Sequence, residues 1–179
     1  MADKFNLQKK EAPIILSKYN PDWPLKYKEE KYLLMDTIVQ WLYGSIEHIG
    51  STSVPGLTAK PVIDIMFGVK SLEHSKPAIE LLIQQGYNYF PYKKEVMHWF
   101  CKPSPNLRTH HLHLVPYEST LWKERIKFRD TLRINTKIAN EYVKLKKELA
   151  IRYKQDREMY TEKKWKFIKK VLSNKEFIL

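Results

Sequence analysis

The sequence predicts an α+β (α/β) domain in which a small mixed β-sheet is flanked by helices. Up to about Tyr117, short apolar strands alternate with helices, and past Ser119 apolar residues repeat at helical spacing. The length of 179 residues fits one domain of ordinary size, and an apolar content of 43% excludes a disordered chain. We predict a single domain over residues 1–179, with the sheet in 1–117 and C-terminal helices packed on it in 118–179.

The elements follow in order from turn signals and periodicity. A turn at residues 20–24 starts the first helix, where Pro24 is tolerated in the first turn. Ser71 is the expected N-cap of a second helix that runs to residue 85 and stops at Gly86. The expected strands are residues 14–16, 45–49, 62–69, 97–102 and 111–115. The C-terminal helices are predicted from apolar stripes at Tyr142, Leu145 and Leu149 and at Phe167, Ile168, Val171 and Leu172.

The charge balance favours anionic partners. Lys and Arg total 32 against 20 Asp and Glu, a formal net charge of +12. Such a field suits nucleotides, RNA or an acidic protein, and its alternative interpretation is a solubilising surface. The single cysteine, Cys101, excludes an intrachain disulfide and suits the cytoplasm, as do the polar residues 1–10, which lack the apolar core of a signal peptide. No apolar run approaches membrane-spanning length, so no membrane association is expected.

The most informative segment is a turn of Gly, Ser, Thr and Pro that leads into an apolar strand. Backbone N–H groups in such a turn can bind phosphate oxygens, and Lys60 adds a positive charge just before the strand. Along the strand, Asp64 and Met66 point to one face, while the residues between them form a uniform apolar face. Asp64 is therefore positioned to meet a ligand held by the turn. The alternative for Lys60 is a purely structural role in closing the turn.

This segment resembles the signature of the GrpB family, in the nucleotidyltransferase superfamily. The superfamily pattern is a Gly-Ser pair at a strand end and an acidic residue on the next strand, matched here by Gly50, Ser51 and Asp64 with twelve residues between the pair and the acid. The similarity continues in order through residues 19–23, 108–113, 128–133, 145–150 and Tyr160, Lys164, Phe167 and Ile168.

The resemblance implies a nucleotidyltransferase-like fold and a metal-dependent transfer of a nucleotidyl group from a nucleoside triphosphate to an unknown acceptor. In that mechanism the turn formed by Gly50, Ser51 and Thr52 holds the triphosphate together with Lys60, and Asp64 ligates the metal. Lys60 and Asp64 are the expected catalytic residues. Catalysis then consists mostly of positioning and charge neutralisation.

One position departs from the superfamily pattern. Members that transfer nucleotides usually carry a second acidic residue two positions after the first, where this chain has Met66. A thioether is a poor ligand for Mg²⁺, which prefers oxygen. The alternative to an enzyme is therefore a protein that binds a nucleotide or another phosphorylated small molecule without chemistry. RNA binding is a third interpretation, and it rests on the net charge alone.

Histidines form the second group of candidate residues. Within a strand, His111 and His113 share one face, and both can bind one ion or one phosphate. By resemblance they take the place where the superfamily often supplies a third acidic residue. With Asp64 they would make a mixed N/O site, better suited to Zn²⁺ or Mn²⁺ than to Mg²⁺. The alternative is that these histidines hydrogen-bond inside a polar cleft and bind no metal.

Three further cations are candidate phosphate ligands. Arg108 precedes the histidines and suits a phosphate or a carboxylate. Arg129 lies beside Asp130 on a predicted helix, so the two point in different directions. Lys146 lies on an amphipathic helix among other lysines, and it is assigned to the site through the family resemblance.

Overall fold

Five strands form one mixed sheet in the computed structural model, which describes residues 13–174. The sheet has the order β1-β2-β5-β4-β3; β2 and β5 are parallel and the other neighbours are antiparallel. The strands are β1 (Leu42–Ile49), β2 (Ile63–Val69), β3 (Asn88–Phe90), β4 (His98–Pro103) and β5 (Arg108–Pro116). The predicted mixed sheet is confirmed, while the prediction for residues 1–10 lies outside the described part of the chain.

In the described part of the chain, six α-helices pack around the sheet, and three of them follow β5 in succession. They are α1 (Trp23–Ile38), α2 (Leu72–Ser75), α3 (Ala78–Gln84), α4 (Thr120–Ile134), α5 (Thr136–Arg152) and α6 (Arg157–Ser173). Side-chain oxygens of Ser119, Asn135 and Asp156 accept backbone N–H bonds at the starts of α4, α5 and α6, which defines where each begins. Between residues 13 and 174, no helix combines the length and the apolar character needed to cross a bilayer.

The two faces of the sheet pack against different helices. On one face, the apolar side chains of β2 and β5 contact α1 and α3, and this cluster includes Ile65, Phe67 and Leu112 from the strands. On the other face, Met66 packs with Trp122 of α4. The C-terminal helices therefore pack on the sheet, as the sequence predicts, and they cover the face to which Asp64 points. The division at residues 117 and 118 stays a prediction of domain organisation.

The local predictions hold where capping and alternation are strong. The first helix, α1, begins in the predicted turn and has Pro24 in its first turn. Ser71 is the N-cap of α2, as predicted, and its side chain accepts a hydrogen bond from the His74 backbone N–H. The predicted single helix from Ser71 to residue 85 is wrong, because Pro77 separates α2 from α3. Proline has no backbone N–H, so the helical hydrogen bonds are interrupted at this residue and resume where the Ile79 N–H donates to the Lys76 carbonyl.

Two strand predictions also differ from the structure. Residues 14–16 form no strand; the chain there makes one isolated bridge, between Ser17 and Ala59, and the Ile15 side chain is exposed. An apolar triplet forms a strand only where a neighbouring strand supplies a ladder, and a single pair does not. Conversely, the sequence analysis predicted no strand at β3, which is only three residues long and shows no alternation of apolar and polar residues. These residues form a strand because they pair with β4 at the edge of the sheet.

Candidate functional site

The parallel pairing of β2 with β5 brings an acid and two imidazoles together. Asp64 is paired with His111, and Met66 with His113. Paired residues on adjacent strands point to the same face, so these side chains gather on the face covered by α4. The His111 Nδ1 atom lies 2.9 Å from Asp64 Oδ1, and the His113 Nε2 atom lies 3.8 Å from the same oxygen. The structure thus brings three predicted site residues to one point.

The contacts of these groups fix their protonation. Burial raises the pKa of Asp64, but the interactions with His111 and His113 outweigh it and hold the pKa of this carboxyl well below its usual range. The ionised carboxylate can only accept, so His111 donates from Nδ1. Burial lowers the pKa of His113 to about 4, and its Nδ1 lies 3.4 Å from Met97 Sδ, which has no proton to donate. The His113 ring is therefore neutral, with Nδ1 towards Met97 and Nε2 towards the Asp64 carboxylate.

Two ring nitrogens of this cluster lack a partner. The Nε2 atoms of His111 and His113 are buried and have no hydrogen-bond partner among the described residues. An unpaired polar atom in a buried position costs free energy, so such atoms are typical of sites that a ligand completes. The His113 Nε2 atom is the ring nitrogen that faces Asp64, 3.8 Å from its Oδ1. This nitrogen and the Asp64 carboxylate lie close enough together to contact one ligand.

The Gly50 turn lies directly against the Asp64 carboxylate. Gly50 has φ +70°, a conformation that L-residues with a side chain rarely adopt, and a Cβ atom there would collide with Asp64 Oδ2. Ser53 Oγ donates to the Gly50 carbonyl over 2.6 Å and closes the turn. Glycine is thus required both by the backbone and by the close approach of the acid. The geometry fits a turn that presents its backbone to the same ligand as Asp64.

A buried lysine reaches this turn from α5. Lys146 is 2% exposed, and its Nζ lies 3.0 Å from Ser51 Oγ and 2.5 Å from the Thr58 carbonyl oxygen, to which it donates. Burial, together with the smaller effect of the neighbouring Lys164, lowers its pKa to about 7. The Tyr142 ring lies 4.7 Å from the ammonium group, and the Tyr142 hydroxyl hydrogen-bonds to the Ser51 side chain. Ser51 and Lys146 therefore form one polar unit at the turn.

Further cations surround Asp64 from other elements. Lys60 before β2, Arg125 on α4 and Lys164 on α6 each interact electrostatically with the Asp64 carboxylate. Burial lowers the pKa of Lys60 to about 8, with Arg157 and Arg108 adding to the effect, and burial also lowers the pKa of Lys164 to about 8. Several positive groups thus share a single carboxylate, which is the electrostatic arrangement of an anion site.

Sequence reasoning did not assign Arg125 and Lys164 a role in the site, although the sequence carries a signal for both. Each interrupts the apolar stripe of its helix: Arg125 lies three residues from Trp122 and from Phe128, and Lys164 lies four residues after Tyr160. Lys146 does the same on α5, between buried residues of that helix. A cation on the buried stripe of a helix points towards the interior and needs a partner there.

Two predicted phosphate ligands have other contacts. Thr52 is 1% exposed, and its hydroxyl donates to the Val62 carbonyl over 3.0 Å and lies 3.0 Å from His48 Nε2. Arg129 donates to the Glu47 carboxylate over 2.7 Å and to the adjacent Asp130 over 2.8 Å. Both side chains hold the scaffold together, and the structure does not bring either to Asp64 as a free ligand. Thr52 instead ties the turn to the start of β2.

Met66 shares the face of Asp64 but lies in the apolar interior. Its side chain is fully buried and packs with Ile49, Met97 and Trp122. A carboxylate at this position would be buried among these apolar side chains, at a cost on the order of several kcal/mol. Met66, the next residue after Asp64 on this face of β2, therefore contributes to packing, and the strand supplies a single carboxylate to the site. Across residues 13–174, no group of three or more His, Cys, Asp or Glu side chains is arranged to hold a metal ion unaided.

Comparison with known proteins finds relatives that match this chain over most of its length. The profile of a family described as "GrpB protein" matches residues 13–174. "Glutamate-rich protein GrpB" of Alkalihalophilus pseudofirmus is 37% identical over 165 residues, covering 89% of this chain and 94% of the relative. "UPF0157 protein YqkA" of Bacillus subtilis is 33% identical over 170 residues, which are 93% of this chain but only 48% of that protein. The crystal structure of the conserved protein GrpB from Enterococcus faecalis superposes with a TM-score of 0.78 at 32% identity, covering 88% of this chain and 97% of that one.

Proposed function

The chain belongs to the GrpB family, and we propose that it binds a nucleoside triphosphate in the cleft around Asp64 and transfers the nucleotidyl group to an acceptor. One observation carries this proposal. A single ionised carboxylate beside a Gly-Ser turn is surrounded by Lys60, Arg125 and Lys164, which come from three different elements. More positive than negative charge in a buried cleft suits a polyphosphate, whose own charge then completes the balance.

The residues of the cleft have distinct parts in such a transfer. Ser51 and Lys146 bind phosphate oxygens at the turn, where Gly50 allows the backbone to approach. Lys60, Lys164 and Arg125 neutralise the charge on the phosphates and on the departing pyrophosphate. Since these groups are fixed by the fold before the ligand arrives, they stabilise developing charge without reorganisation. Asp64, held by the His111 Nδ1–H bond, keeps its orientation and its charge.

The side chains of the site supply some of the ligands that a divalent metal needs. Asp64 offers a carboxylate oxygen, and the neutral His113 offers Nε2, which lacks a hydrogen-bond partner among the described residues and would bind the metal with its proton on Nδ1. His111 is already hydrogen-bonded to Asp64 and would orient the carboxylate. These two donors leave the remaining positions to the phosphates and to water, as is usual for Mg²⁺. The mixed N/O set suits Mn²⁺ or Zn²⁺ as well as Mg²⁺. Such an ion supplies charge neutralisation and polarisation of the phosphates.

Non-catalytic binding of a nucleotide or another phosphorylated small molecule is the second candidate. Met66 favours it, since the strand carries one carboxylate where transferases of this superfamily usually carry two, and the Met66 site is packed with apolar groups. Both functions use the same phosphate contacts, so they differ only in whether pyrophosphate is released. We propose the cytoplasm, where nucleoside triphosphates are supplied, as the compartment for either.

The test combines ligand binding with product release. Thermal shift with the common nucleoside triphosphates and Mg²⁺ or Mn²⁺ should raise the melting temperature of the wild type, and Lys60→Ala should lose most of that rise. Pyrophosphate release with candidate acceptors should disappear in Asp64→Asn. Asp36→Asn, which changes an exposed carboxylate on α1, is the matched control and should behave as the wild type. Nucleotide binding without pyrophosphate release would establish the binding protein, and no shift with any nucleotide would refute both the nucleotidyl transfer and the binding of a nucleotide.

A further inference from the structure

A second cleft lies on the opposite face of the sheet from Asp64. Ile63 and His110 are paired across β2 and β5, and each directly precedes a residue of the Asp64–His111 pair. Successive residues of a strand point to opposite faces, so Ile63 and His110 point away from the face that α4 covers. The cleft beside them has a volume of about 460 Å³, which is within the range of small-molecule sites. We call it the rear cleft; among the residues that line it are Lys18, Trp23, Lys26, Glu29, Glu30 and His110.

Helix α1 forms one wall of the rear cleft and brings charged side chains to it. Lys26 and Glu30 are four residues apart, about one turn of the helix, so they lie on the same side of α1. Glu29 also lines the cleft, and Lys18 comes from the segment before the helix. The lining therefore carries two lysines and two carboxylates, unlike the cleft around Asp64, where cations outnumber the single carboxylate.

Glu30 is the buried carboxylate of the rear cleft, and the protein fixes its orientation. Its residue is 6% exposed, the Tyr87 hydroxyl donates to Oε1 over 2.7 Å, and Lys102 Nζ lies 2.6 Å from Oε2. The Lys102 ammonium also lies 4.9 Å from the centre of the Tyr87 ring. An ionised carboxylate has about four positions at which it can accept a hydrogen bond, and these contacts use two. Glu30 is therefore held in place and can still accept from a ligand.

His110 faces this carboxylate across a gap. Its Nε2 atom lies 3.9 Å from Glu30 Oε2, which is longer than a hydrogen bond. Its other ring nitrogen, Nδ1, lies 2.9 Å from Thr109 Oγ1, a contact that orients the ring. Two polar groups separated by such a gap can both contact one small polar group placed beside them. The Glu30–His110 pair thus forms a polar end of the cleft that suits a ligand with N–H donors.

Apolar surface and exposed lysines complete the rear cleft. Trp23 and Ile63, each 2% exposed, lie in its wall. Lys18 and Lys26 are exposed, and within residues 13–174 neither forms an ion pair with a carboxylate. Their ammonium groups are therefore available to an anionic group of a ligand.

We infer that the rear cleft binds a small zwitterion of the α-amino acid class. The ammonium group of the ligand binds to Glu30, its carboxylate binds to Lys18 and Lys26, and its apolar part contacts the apolar wall. A ligand with both signs of charge matches a lining that contains both, whereas a polyphosphate would be repelled by Glu29 and Glu30. Binding here does not depend on the proposed nucleotidyl transfer, because the two sites lie on opposite faces of the sheet.

The two charges of the ligand can be tested separately. Calorimetry on the full chain screens the standard L-amino acids. The tightest binder is then compared with its amide, which lacks the carboxylate, and with its N-acetyl derivative, which lacks the ammonium group. We expect the amino acid to bind about tenfold or more tightly than either derivative, since each derivative loses one charge-assisted contact.

Variants assign each charge of the ligand to its partner. Lys18→Gln combined with Lys26→Gln should weaken the amino acid and its N-acetyl derivative by about fivefold and leave the amide unchanged. Glu30→Gln combined with Lys102→Met should weaken the amino acid and its amide by about tenfold or more and leave the N-acetyl derivative nearly unchanged. The buried pair is changed together because Glu30→Gln alone would leave the Lys102 charge without its partner.

Controls separate a local effect from a general loss of charge or of folding. Lys28→Gln removes an exposed charge from α1 outside the lining of the rear cleft and should change none of the affinities. Asp64→Asn should also leave amino-acid binding unchanged, because Asp64 points to the other face. Circular dichroism and urea unfolding check that each variant folds.

The outcomes distinguish this inference from the proposed function. No binding of any amino acid, or equal binding of the amino acid and both derivatives, would overturn the zwitterion site without bearing on nucleotide binding. Tighter binding of the amide alone would indicate an amine site and tighter binding of the N-acetyl derivative alone an anion site, and either would overturn the inference. Loss of amino-acid binding in Asp64→Asn would assign the ligand to the other cleft. Binding that is weakened by the rear-cleft variants and kept in Asp64→Asn is the result that we expect.

Discussion

At the scale of single residues, buried lysines distinguish this cleft from an ordinary protein interior. The Lys146 ammonium contacts a hydroxyl, a carbonyl and an aromatic ring, and its charged neighbour is another lysine. Removing a charge from water without an opposite charge favours the neutral amine, which is why the pKa of Lys146 falls to about 7. Burial also lowers the pKa values of Lys60 and Lys164 to about 8, although the Asp64 carboxylate acts on both in the opposite direction. The empty cleft therefore holds fewer protons than the liganded one.

Proton uptake on binding gives the first prediction. A bound phosphate favours the charged form of Lys146, so its contribution to affinity is complete below the pKa of about 7 and is lost as the pH rises above it. The affinity for an α,β-methylene nucleoside triphosphate, which cannot transfer its nucleotidyl group, is measured by calorimetry; we call it the methylene nucleotide. This affinity should fall between about pH 7 and pH 9, approaching tenfold per pH unit for each coupled proton. Lys146→Met should bind more weakly and show a flatter profile, whereas Lys147→Met should keep the profile of the wild type. An equally steep profile in Lys146→Met would show that Lys146 does not bind the phosphate.

Residue-level prediction succeeded where alternation determines the answer. The period of two along a strand correctly put Asp64 on one face and His111 with His113 on one face of another strand, because this depends only on local geometry. That the two faces coincide depends on the register between β2 and β5, which are 47 residues apart at the Asp64–His111 pair. Spacing in the sequence carries no information on that register. The participation of Arg125 was missed for the same reason, since it depends on where α4 packs.

At the scale of elements, the turn between β1 and β2 is what makes the site possible. Gly50 and Gly56 both have positive φ, +70° and +77°, but only Gly50 lies against another group, the Asp64 carboxylate. The composition of this turn was evident from the sequence, as were the strand that follows it and the cap at Ser71. The break at Pro77 and the short β3 strand were not predicted, because proline can also occupy the first turn of a helix and β3 is defined mainly by its partner β4.

The two glycines allow a matched comparison, which is the second prediction. Gly56→Ala should lower the free energy of unfolding by about 1 kcal/mol, the usual cost of placing a side chain at positive φ. Gly50→Ala carries the same backbone cost and also forces the Cβ atom against Asp64, so it should cost about 1–3 kcal/mol more. Urea unfolding measures both changes. Nucleotide binding should survive in Gly56→Ala and be lost or strongly weakened in Gly50→Ala; equal effects in the two variants would show that the turn and Asp64 do not form one unit.

At the scale of the whole molecule, the cleft lies between the sheet and the layer of C-terminal helices, which contribute different kinds of side chain. The sheet contributes Asp64 and the imidazoles, and α4, α5 and α6 contribute one cation each, at Arg125, Lys146 and Lys164. The sequence predicted the sheet, the C-terminal helices and their packing on the sheet, because each layer has its own periodicity. It did not predict that Arg125 and Lys164 interact with the Asp64 carboxylate while Lys146 reaches the turn beside it, since that requires the relative orientation of all three helices.

The overall charge leads to the last prediction, which separates a compact anion site from general attraction to RNA. The formal net charge of +12 is spread over many exposed lysines, including Lys137, Lys144 and Lys147 on α5, whereas the cleft cations are buried or half-buried. Non-specific RNA binding depends on the number of phosphates contacted and falls steeply with salt, while a buried site is screened much less. Replacing these three lysines together by Gln should therefore leave the affinity for the methylene nucleotide within about twofold at about 150 mM salt. The same variant should lose most of any affinity for a single-stranded oligoribonucleotide, as measured by fluorescence anisotropy across a salt series. If the triple variant instead loses nucleotide affinity as strongly as Lys146→Gln, the surface field rather than the cleft binds the ligand, and the local site proposed here would be refuted.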